Sequence, residues 1–132
     1  MRAATRSITI SRPSQEVFDF ISAPQNLPLW SQSLCQSVSQ NEYGGWLIHT
    51  PDQHQIPLEI RSDIRTGVID QILSPGPDIQ MFIPGRVLSN GYYAEFVLTL
   101  FQPDEISEAA YQNEIQTIEF ELLTLKGVLE TP

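Results

Sequence analysis

Six apolar residues recur at helical spacing near the end of the chain. Their gaps are 4, 3, 4, 3 and 4, and they are Tyr111, Ile115, Ile118, Leu122, Leu125 and Leu129. At about 100° per residue they form one stripe roughly 80° wide on a helix. The pattern predicts a helix over 105–130, about 39 Å long, with Asp104 as N-cap and Glu105 and Glu108 near its positive end. Such a stripe needs a long apolar groove to lie in.

Short segments rich in β-branched and aromatic residues fill the middle of the chain, and turn signals separate them. The turns fall at Gly44-Gly45, 51–54, 63–67, 75–77 and 89–91. This spacing is typical of an antiparallel meander. It predicts strands at 34–41, 46–50, 55–62, 67–73, 79–87 and 92–101, preceded by one at 6–10.

Two short helices are predicted between the first strand and the meander. Pro13 can begin one, with an apolar face of Val17, Phe18 and Ile21, and the second covers 26–33. The sequence therefore predicts an α+β helix-grip fold as a single domain over 1–132. It has a seven-stranded curved antiparallel sheet, two short N-terminal helices and one long C-terminal helix. The alternative is an NTF2-like cone, which normally begins with helices and ends in strand, the reverse of the order here.

Hairpin turns allow the strand register to be estimated. The Asn90-Gly91 turn predicts Val87 opposite Ala94 and Ile83 opposite Leu98, with Arg86 facing Glu95 on the outer side. The inner face is then apolar throughout and holds Met81, Ile83, Val87, Ala94, Phe96, Leu98 and Leu100.

The same counting predicts that a carboxylate lies inside. It groups Trp46, Ile48, Thr50, Ile56, Leu58 and Ile60 on the inner face, and then Val68, Asp70 and Ile72. Asp70 would be the one charge there. A buried carboxylate is costly unless it is paired or protonated, so Asp70 is a candidate catalytic acid or base.

Composition argues against several classes of function. The net charge of -9 repels nucleic acids and anionic membrane surfaces. One cysteine, Cys35, excludes an internal disulfide, and one cysteine with two histidines gives no metal-binding pattern. We expect no metal or nucleotide cofactor. With neither a secretory signal nor an apolar run long enough to span a membrane, the sequence predicts a cytoplasmic protein.

Several segments resemble the START-like, or SRPBCC, superfamily, which includes birch-pollen-allergen-like and polyketide cyclase/dehydrase-like proteins. The resemblance covers nearly the whole chain, in ITISRPSQEVFDFISAPQNLPLW (8–30), GVIDQIL (67–73), PGRVLSNG (84–91), FVLTLFQP (96–103) and LLTLKGVLE (122–130). In a bacterial subgroup the position of Gln71 is often histidine, so glutamine here removes a general acid or base.

The resemblance implies a cavity between the sheet and the last helix that holds hydrophobic small molecules. Carried over position by position, its lining would be Trp30, Trp46, Ile48, Ile60, Ile72, Met81, Phe96, Leu98, Ile115, Ile118 and Leu122. Each of these residues could equally be plain core.

Three functions follow as hypotheses. The first is binding of a lipid, polyketide or aromatic metabolite. The second is a small cyclase- or dehydratase-like enzyme with Asp70 as acid/base, and the third is an interaction protein whose cavity its own side chains fill. Phe120 lies about 180° from the helix stripe, so it would face solvent or the partner chain of a homodimer.

Overall fold

A strand, two short helices, seven further strands and a long helix follow one another along the chain. The computed structural model describes residues 1–132. The elements are β1 (Arg2–Ile10), α1 (Ser14–Ile21), a 3₁₀ turn (Pro24–Asn26), α2 (Leu27–Trp30), β2 (Ser37–Gln40), β3 (Trp46–His49), β4 (Gln55–Asp63), β5 (Val68–Gly76), β6 (Ile79–Ile83), β7 (Gly85–Asn90), β8 (Tyr93–Gln102) and α3 (Glu108–Glu130).

The strands form one antiparallel sheet in the order β1-β8-β7-β5-β4-β3-β2, with β6 paired to β5 beside β7. The predicted sixth strand is present, but Pro84 divides it into β6 and β7 because proline has no backbone N–H to give to the ladder. The carbonyl of Pro84 still accepts a hydrogen bond from Thr99 N at 3.0 Å. The predicted α+β helix-grip arrangement is confirmed.

The β7–β8 hairpin differs from the predicted register by two residues. Val87 lies opposite Phe96, and Arg86 opposite Val97 rather than Glu95. The loop is Gly91-Tyr92, with Gly91 at φ +63°, because the turn places its left-handed residue first rather than second. Since the shift is even, the predicted inner face is unchanged. The predicted Arg86–Glu95 pair is wrong, and Arg86 Nε instead donates to the Thr66 carbonyl.

The register of the β4–β5 hairpin differs from the predicted one by an odd number of residues. The predicted inner face of β5 is therefore wrong. Asp63 pairs with Val68 and Ile60 with Gln71, because the loop holds four residues and ends on Gly67 at φ +79°. An odd shift turns every side chain of a strand to the other face. Asp70 therefore lies on the outer face, opposite Arg61. The inner residues of β5 are Ile69, Gln71 and Leu73.

The predicted stripe of α3 is buried. Tyr111, Ile115, Leu122, Leu125 and Leu129 are each at most 7% exposed, and Ile118 is half-buried. The helix begins later than predicted. Ser107 is the N-cap, and its hydroxyl accepts a hydrogen bond from Ala110 N, whereas Asp104 lies in the preceding turn. The turn forms because Ile106 N bonds to the carbonyl of Pro103.

Basic side chains fasten α3 to β1 in a group we call the β1–α3 seam. Arg2 pairs with Glu108, and Arg6 pairs with Glu119 at 3.5 Å. Lys126 Nζ donates to the carbonyl of Thr9 at 2.7 Å. The seam runs along the length of the helix.

The two N-terminal helices close one end of the sheet. The predicted face of α1, formed by Val17, Phe18 and Ile21, is buried. The second helix is shorter than predicted and buries Leu27 and Trp30. None of the helices combines the length and apolar composition that a bilayer span requires.

Candidate functional site

A cavity of about 370 Å³ lies between the inner face of the sheet and α3. Apolar side chains make up most of the sheet side, and the helix contributes polar ones. The lining residues are Ser33, Leu34, Ile56, Leu73, Pro75, Met81, Ile83, Leu100, Asn113, Glu114, Thr117, Ile118 and Glu121. Ser33, Pro75 and Asn113 are exposed, so they mark the mouth.

A smaller inner chamber of about 40 Å³ adjoins this cavity. Leu34, Ile83, Ile118 and Glu121 line both spaces. The remaining walls of the inner chamber are Trp30, Ser31, Ile69, Gln71, Gly85, Phe96 and Leu98. The site therefore has a wider apolar outer part and a narrow inner part that carries polar groups.

Glu121 is the buried carboxylate of this site, and it is 4% exposed. Position 121 follows Ile118 by three residues and Glu114 by seven, which places all three on the cavity side of α3. The Ser31 hydroxyl donates to Glu121 Oε2 at 3.1 Å, and the Ser33 hydroxyl donates to the same oxygen at 2.5 Å. Both side-chain hydrogen bonds go to Oε2, and Oε1 accepts none from a side chain.

No cation offsets the charge of Glu121. It takes part in no ion pair, and neither the outer cavity nor the inner chamber is lined by Lys, Arg or His. Burial therefore raises the pKa of the Glu121 carboxyl, and the hydrogen bonds from Ser33 and Ser31 only partly oppose that rise. Burial also raises the pKa of Glu114 near the mouth.

Cys35 lies close enough to Glu121 to feel its charge. Burial raises the pKa of the Cys35 thiol to about 11, and the neighbouring carboxylate adds to the effect. A thiol with so little thiolate at neutral pH is a poor nucleophile. Cys35 therefore contributes packing rather than reactivity.

Trp30 supplies a buried polar group with no hydrogen-bond partner. The residue is 3% exposed, and its Nε1 has no hydrogen-bond acceptor in the protein. Its ring meets Phe96 edge to face, with centroids 6.3 Å apart and planes at 89°. A buried N–H without an acceptor costs roughly 1–3 kcal/mol, so this one calls for an explanation.

Gln71, rather than Asp70, faces the site. Its side chain lines the inner chamber, while Asp70 on the outer face has its Oδ1 3.3 Å from Gly85 N. The expectation that Asp70 lies on the inner face is therefore wrong, because the loop before β5 holds four residues and not the five of the predicted turn. The position occupied by histidine in the resembling subgroup does reach the chamber.

The predicted lining residues divide into three groups. Trp30, Phe96, Leu98 and Ile118 line the inner chamber, and Met81 with Ile118 lines the outer cavity. Ile48, Ile115 and Leu122 are buried in the core, and Trp46 and Ile60 pack partly buried against it. Ile72 is the one misplaced residue, because it lies in the outer row with Asp70, opposite Glu59 and Phe82.

Sequence reasoning missed Glu121, Gln71 and the two serines. The signal for Glu121 was its spacing from Ile118, which places it at the edge of the apolar stripe. Gln71 depended on a register that the sequence set wrongly by one residue. Ser31 and Ser33 lie just after α2, and nothing in their sequence surroundings distinguishes them from the other serines of the chain.

A second depression, of about 310 Å³, lies on the surface between α1 and the β4–β5 loop. Its walls are mostly polar. Its two arginines already have partners, since Arg65 pairs with Asp63 and Arg86 bonds to the Thr66 carbonyl. It contains no buried polar group that lacks a partner, so we place the functional site in the apolar cavity under α3.

Comparison with solved structures shows which class of protein this fold resembles. No family model matches the sequence, and no curated protein matches it. Solved structures do match over nearly the whole chain, and they include a START superfamily protein from Mycobacterium smegmatis. Its TM-score is 0.73 at 10% identity, covering 97% of this chain and 97% of that one. The chain has the START-like helix-grip fold, as the resemblance predicted.

Two further structures are similar. The protein XoxI from Bacillus cereus has a TM-score of 0.79 at 19% identity, covering 98% of this chain and 96% of that one. The Zhui aromatase/cyclase from Streptomyces sp. R1128 has a TM-score of 0.71 at 14% identity, covering 98% and 93%. At these identities the likeness concerns the fold, and the ligand must be argued from the cavity.

Proposed function

We propose that this chain binds a hydrophobic small molecule, such as a lipid, polyketide or aromatic metabolite, in the cavity between the sheet and α3. The observation that carries the proposal is the apolar space of about 370 Å³ under the helix. Ligand sites are typically concave, mostly apolar and furnished with a few polar groups, as this one is.

The volume of the cavity limits the size of the ligand that fits. Small-molecule pockets span about 300–1,000 Å³, so this one is near the lower end. A compound of one to three fused rings, or a short chain, fits better than a full-length lipid. Binding of hydrophobic ligands is also the coarse property that the START-like fold supports.

A blocking variant tests the proposal. Ile118 lines both spaces, so Ile118→Trp should fill them, while Glu42→Trp adds the same side chain in the exposed turn between β2 and β3. We expect the wild type and Glu42→Trp to bind the neutral dye Nile red with blue-shifted emission. Ile118→Trp should bind it at least about tenfold more weakly. Equal binding by both variants, or none by the wild type, would contradict the proposal, with circular dichroism confirming that both fold.

A second candidate is a small cyclase- or dehydratase-like enzyme, and Glu121 favours it. A carboxyl group whose pKa is raised by burial in an apolar site is suited to act as a general acid. Glu121 takes the place that the sequence assigned to Asp70. A β-hydroxy aryl ketone is a suitable probe, because its dehydration to an enone changes the absorbance. Turnover lost in Glu121→Gln, with Nile red binding kept, would support the enzyme, whereas no turnover by the wild type would leave binding as the function.

For the partner chain, we propose a second copy of this chain, docked through the back of α3. Phe120 is 70% exposed and Leu123 is 62% exposed, and they are neighbours one turn apart. Two such patches meeting across a twofold axis would cover each other. Sedimentation should show a dimer for the wild type and a monomer for Phe120→Ala. Monomers in both cases would remove the proposal.

A further inference from the structure

Three residues with polar side chains line the inner chamber, and one of their polar atoms is buried without a hydrogen-bond partner. Trp30 Nε1 is a donor without an acceptor. Glu121 Oε1 accepts no side-chain hydrogen bond, because both serine hydroxyls donate to Oε2. The amide of Gln71 also lines the chamber, and no other side chain bonds to it. All three belong to the walls of one space of about 40 Å³.

The volume of the chamber limits what can enter. A water molecule needs roughly 10–15 Å³ of such space, so the chamber has room for about three waters, which suits a small polar group better than a fused ring system. The adjoining outer cavity has room for an apolar body. A ligand that uses both spaces would therefore carry its polar group at the end that enters first.

The chemistry of the walls selects the polar group. The chamber offers a donor at Trp30, an acceptor at Glu121 and an amide at Gln71 that can do either. A hydroxyl group donates and accepts at once, so it can satisfy Trp30 and Glu121 together. It can do so with Glu121 in either protonation state, because a protonated carboxyl would donate to the hydroxyl oxygen.

Other polar groups fit less well. A carboxylate or phosphate in the chamber would face the Glu121 carboxyl with no Lys, Arg or His to offset it, and it would have to pass Glu114 in the outer cavity. An ammonium group would pair with Glu121 but would leave the Trp30 N–H without an acceptor, since ammonium has no lone pair.

We propose that the inner chamber is a recognition subsite for a single hydroxyl group, so that the ligand is an apolar alcohol or phenol rather than an acid or phosphate ester. This inference rests on the proposed binding function. Trp30 donates to the ligand oxygen, Glu121 Oε1 takes part in the second hydrogen bond, and the outer cavity holds the apolar body.

A matched ligand series tests the subsite. Naphthalene, 2-naphthol and 2-naphthoate share one ring system and differ in the group that would enter the chamber. In displacement of Nile red at neutral pH, we expect 2-naphthol to bind at least about tenfold more tightly than naphthalene, and 2-naphthoate more weakly than 2-naphthol.

Two variants assign the effect to the chamber. Trp30→Phe removes the N–H and keeps a ring, and Glu121→Met replaces the carboxyl with an apolar side chain of similar length. Each should bring the affinities of 2-naphthol and naphthalene to within about threefold, while naphthalene still binds. Glu105→Gln, at an exposed position outside the cavity, is the control and should leave the preference intact. If one of the two chamber variants does not fold, the other still tests whether the preference for 2-naphthol depends on the chamber.

The outcomes separate the two proposals. If naphthalene binds as tightly as 2-naphthol, the chamber holds water or nothing, and the hydroxyl subsite is wrong while the binding function stands. Tightest binding of 2-naphthoate overturns the subsite in the same way. If Nile red and all three probes fail to bind the wild type, the proposed binding function fails, and the subsite fails with it.

Discussion

Glu121 has the most unusual surroundings of any side chain in this protein. It is buried beside an apolar cavity, two serine hydroxyls share one of its oxygens, and no cation is near. Two hydroxyl donors do not replace the water that a carboxylate loses on burial. The residue therefore lowers the stability of the folded chain when it is charged, which is the usual sign of a group kept for function rather than for folding.

The pH dependence of stability should reveal this residue. Because the pKa of Glu121 is raised on folding, the folded chain holds the proton more tightly than the unfolded chain does. Its contribution to stability is largest below the ordinary glutamate pKa. It falls as the pH rises through the interval up to the raised pKa, and it stays low above that.

Glu121→Gln removes this titration while keeping an oxygen that can accept from Ser31 and Ser33. We expect the variant to be more stable than the wild type at neutral pH and to lose that advantage toward about pH 4. Urea unfolding between about pH 4 and about pH 8 measures the difference. Glu105→Gln, at an exposed position, is the control and should show no such trend. A stability difference that does not vary with pH would contradict the prediction.

At this scale the sequence identified the kind of group but not the residue. A carboxylate on the inner wall was predicted at Asp70, and the structure has it at Glu121. The sequence cannot decide between them, because the β4–β5 loop can hold four or five residues with the same turn signals. The amphipathic pattern of α3 also says little about a polar residue at the edge of its stripe.

The elements were more predictable than the residues. Burial of the α3 stripe follows from six apolar residues that repeat at helical spacing, a pattern that no other secondary structure explains as well. The positions of the strands follow from the turn signals, because the observed hairpins turn at those positions. The boundaries are where prediction failed, because Asp104 and Ser107 are both good N-caps and only the packed turn at Pro103 distinguishes them.

The N-cap of α3 gives a direct test at this scale. Ser107→Ala removes the hydroxyl that accepts from Ala110 N, and should lower the free energy of unfolding by about 0.5–2 kcal/mol. Asp104→Ala, at the position outside the helix, should change it by less than about 0.5 kcal/mol. Urea titration of both variants gives the comparison. A larger effect at Asp104 would mean that the helix begins earlier than in this structure.

The β4–β5 turn offers a second test. Gly67 and Gly44 both have left-handed φ, at +79° and +83°. A Cβ at Gly67 would lie 2.1 Å from the Val87 carbonyl oxygen, whereas a Cβ at Gly44 would have nothing within 4 Å. We expect Gly44→Ala to cost about 1–2 kcal/mol for the backbone conformation alone.

Gly67→Ala should cost more, by about 1–3 kcal/mol, because β7 must also move away. Chemical unfolding of the two variants measures the difference. Equal losses would show that the close approach of β7 to the turn is not maintained in solution.

For the whole molecule, charge is the dominant feature. The chain has 16 acidic and 7 basic residues, and three of the bases, Arg2, Arg6 and Lys126, lie in the β1–α3 seam. The rest of the surface is therefore strongly acidic. Like charges on a compact chain repel one another, and salt screens that repulsion.

We expect the wild type to become more stable as NaCl rises from about 0.02 M to about 0.5 M, because screening relieves more repulsion than it removes attraction in the exposed seam. The midpoint of thermal unfolding measures this. Arg6→Gln should steepen the salt dependence, since it makes the net charge more negative and removes an ion pair. If the midpoint of thermal unfolding falls as NaCl rises, the attraction in the β1–α3 seam contributes more to stability than the repulsion among the acidic side chains removes.

The position of α3 along the chain also has a consequence for synthesis. Domains fold as they leave the ribosome at about 5–20 residues per second, so the 23 residues of α3 take roughly one to five seconds to be made. Until α3 has been made and docks, the apolar inner face of the sheet has no cover. A chain that stops before Glu108 would expose Phe96, Leu98 and Leu100 to water, and we expect it to aggregate rather than fold.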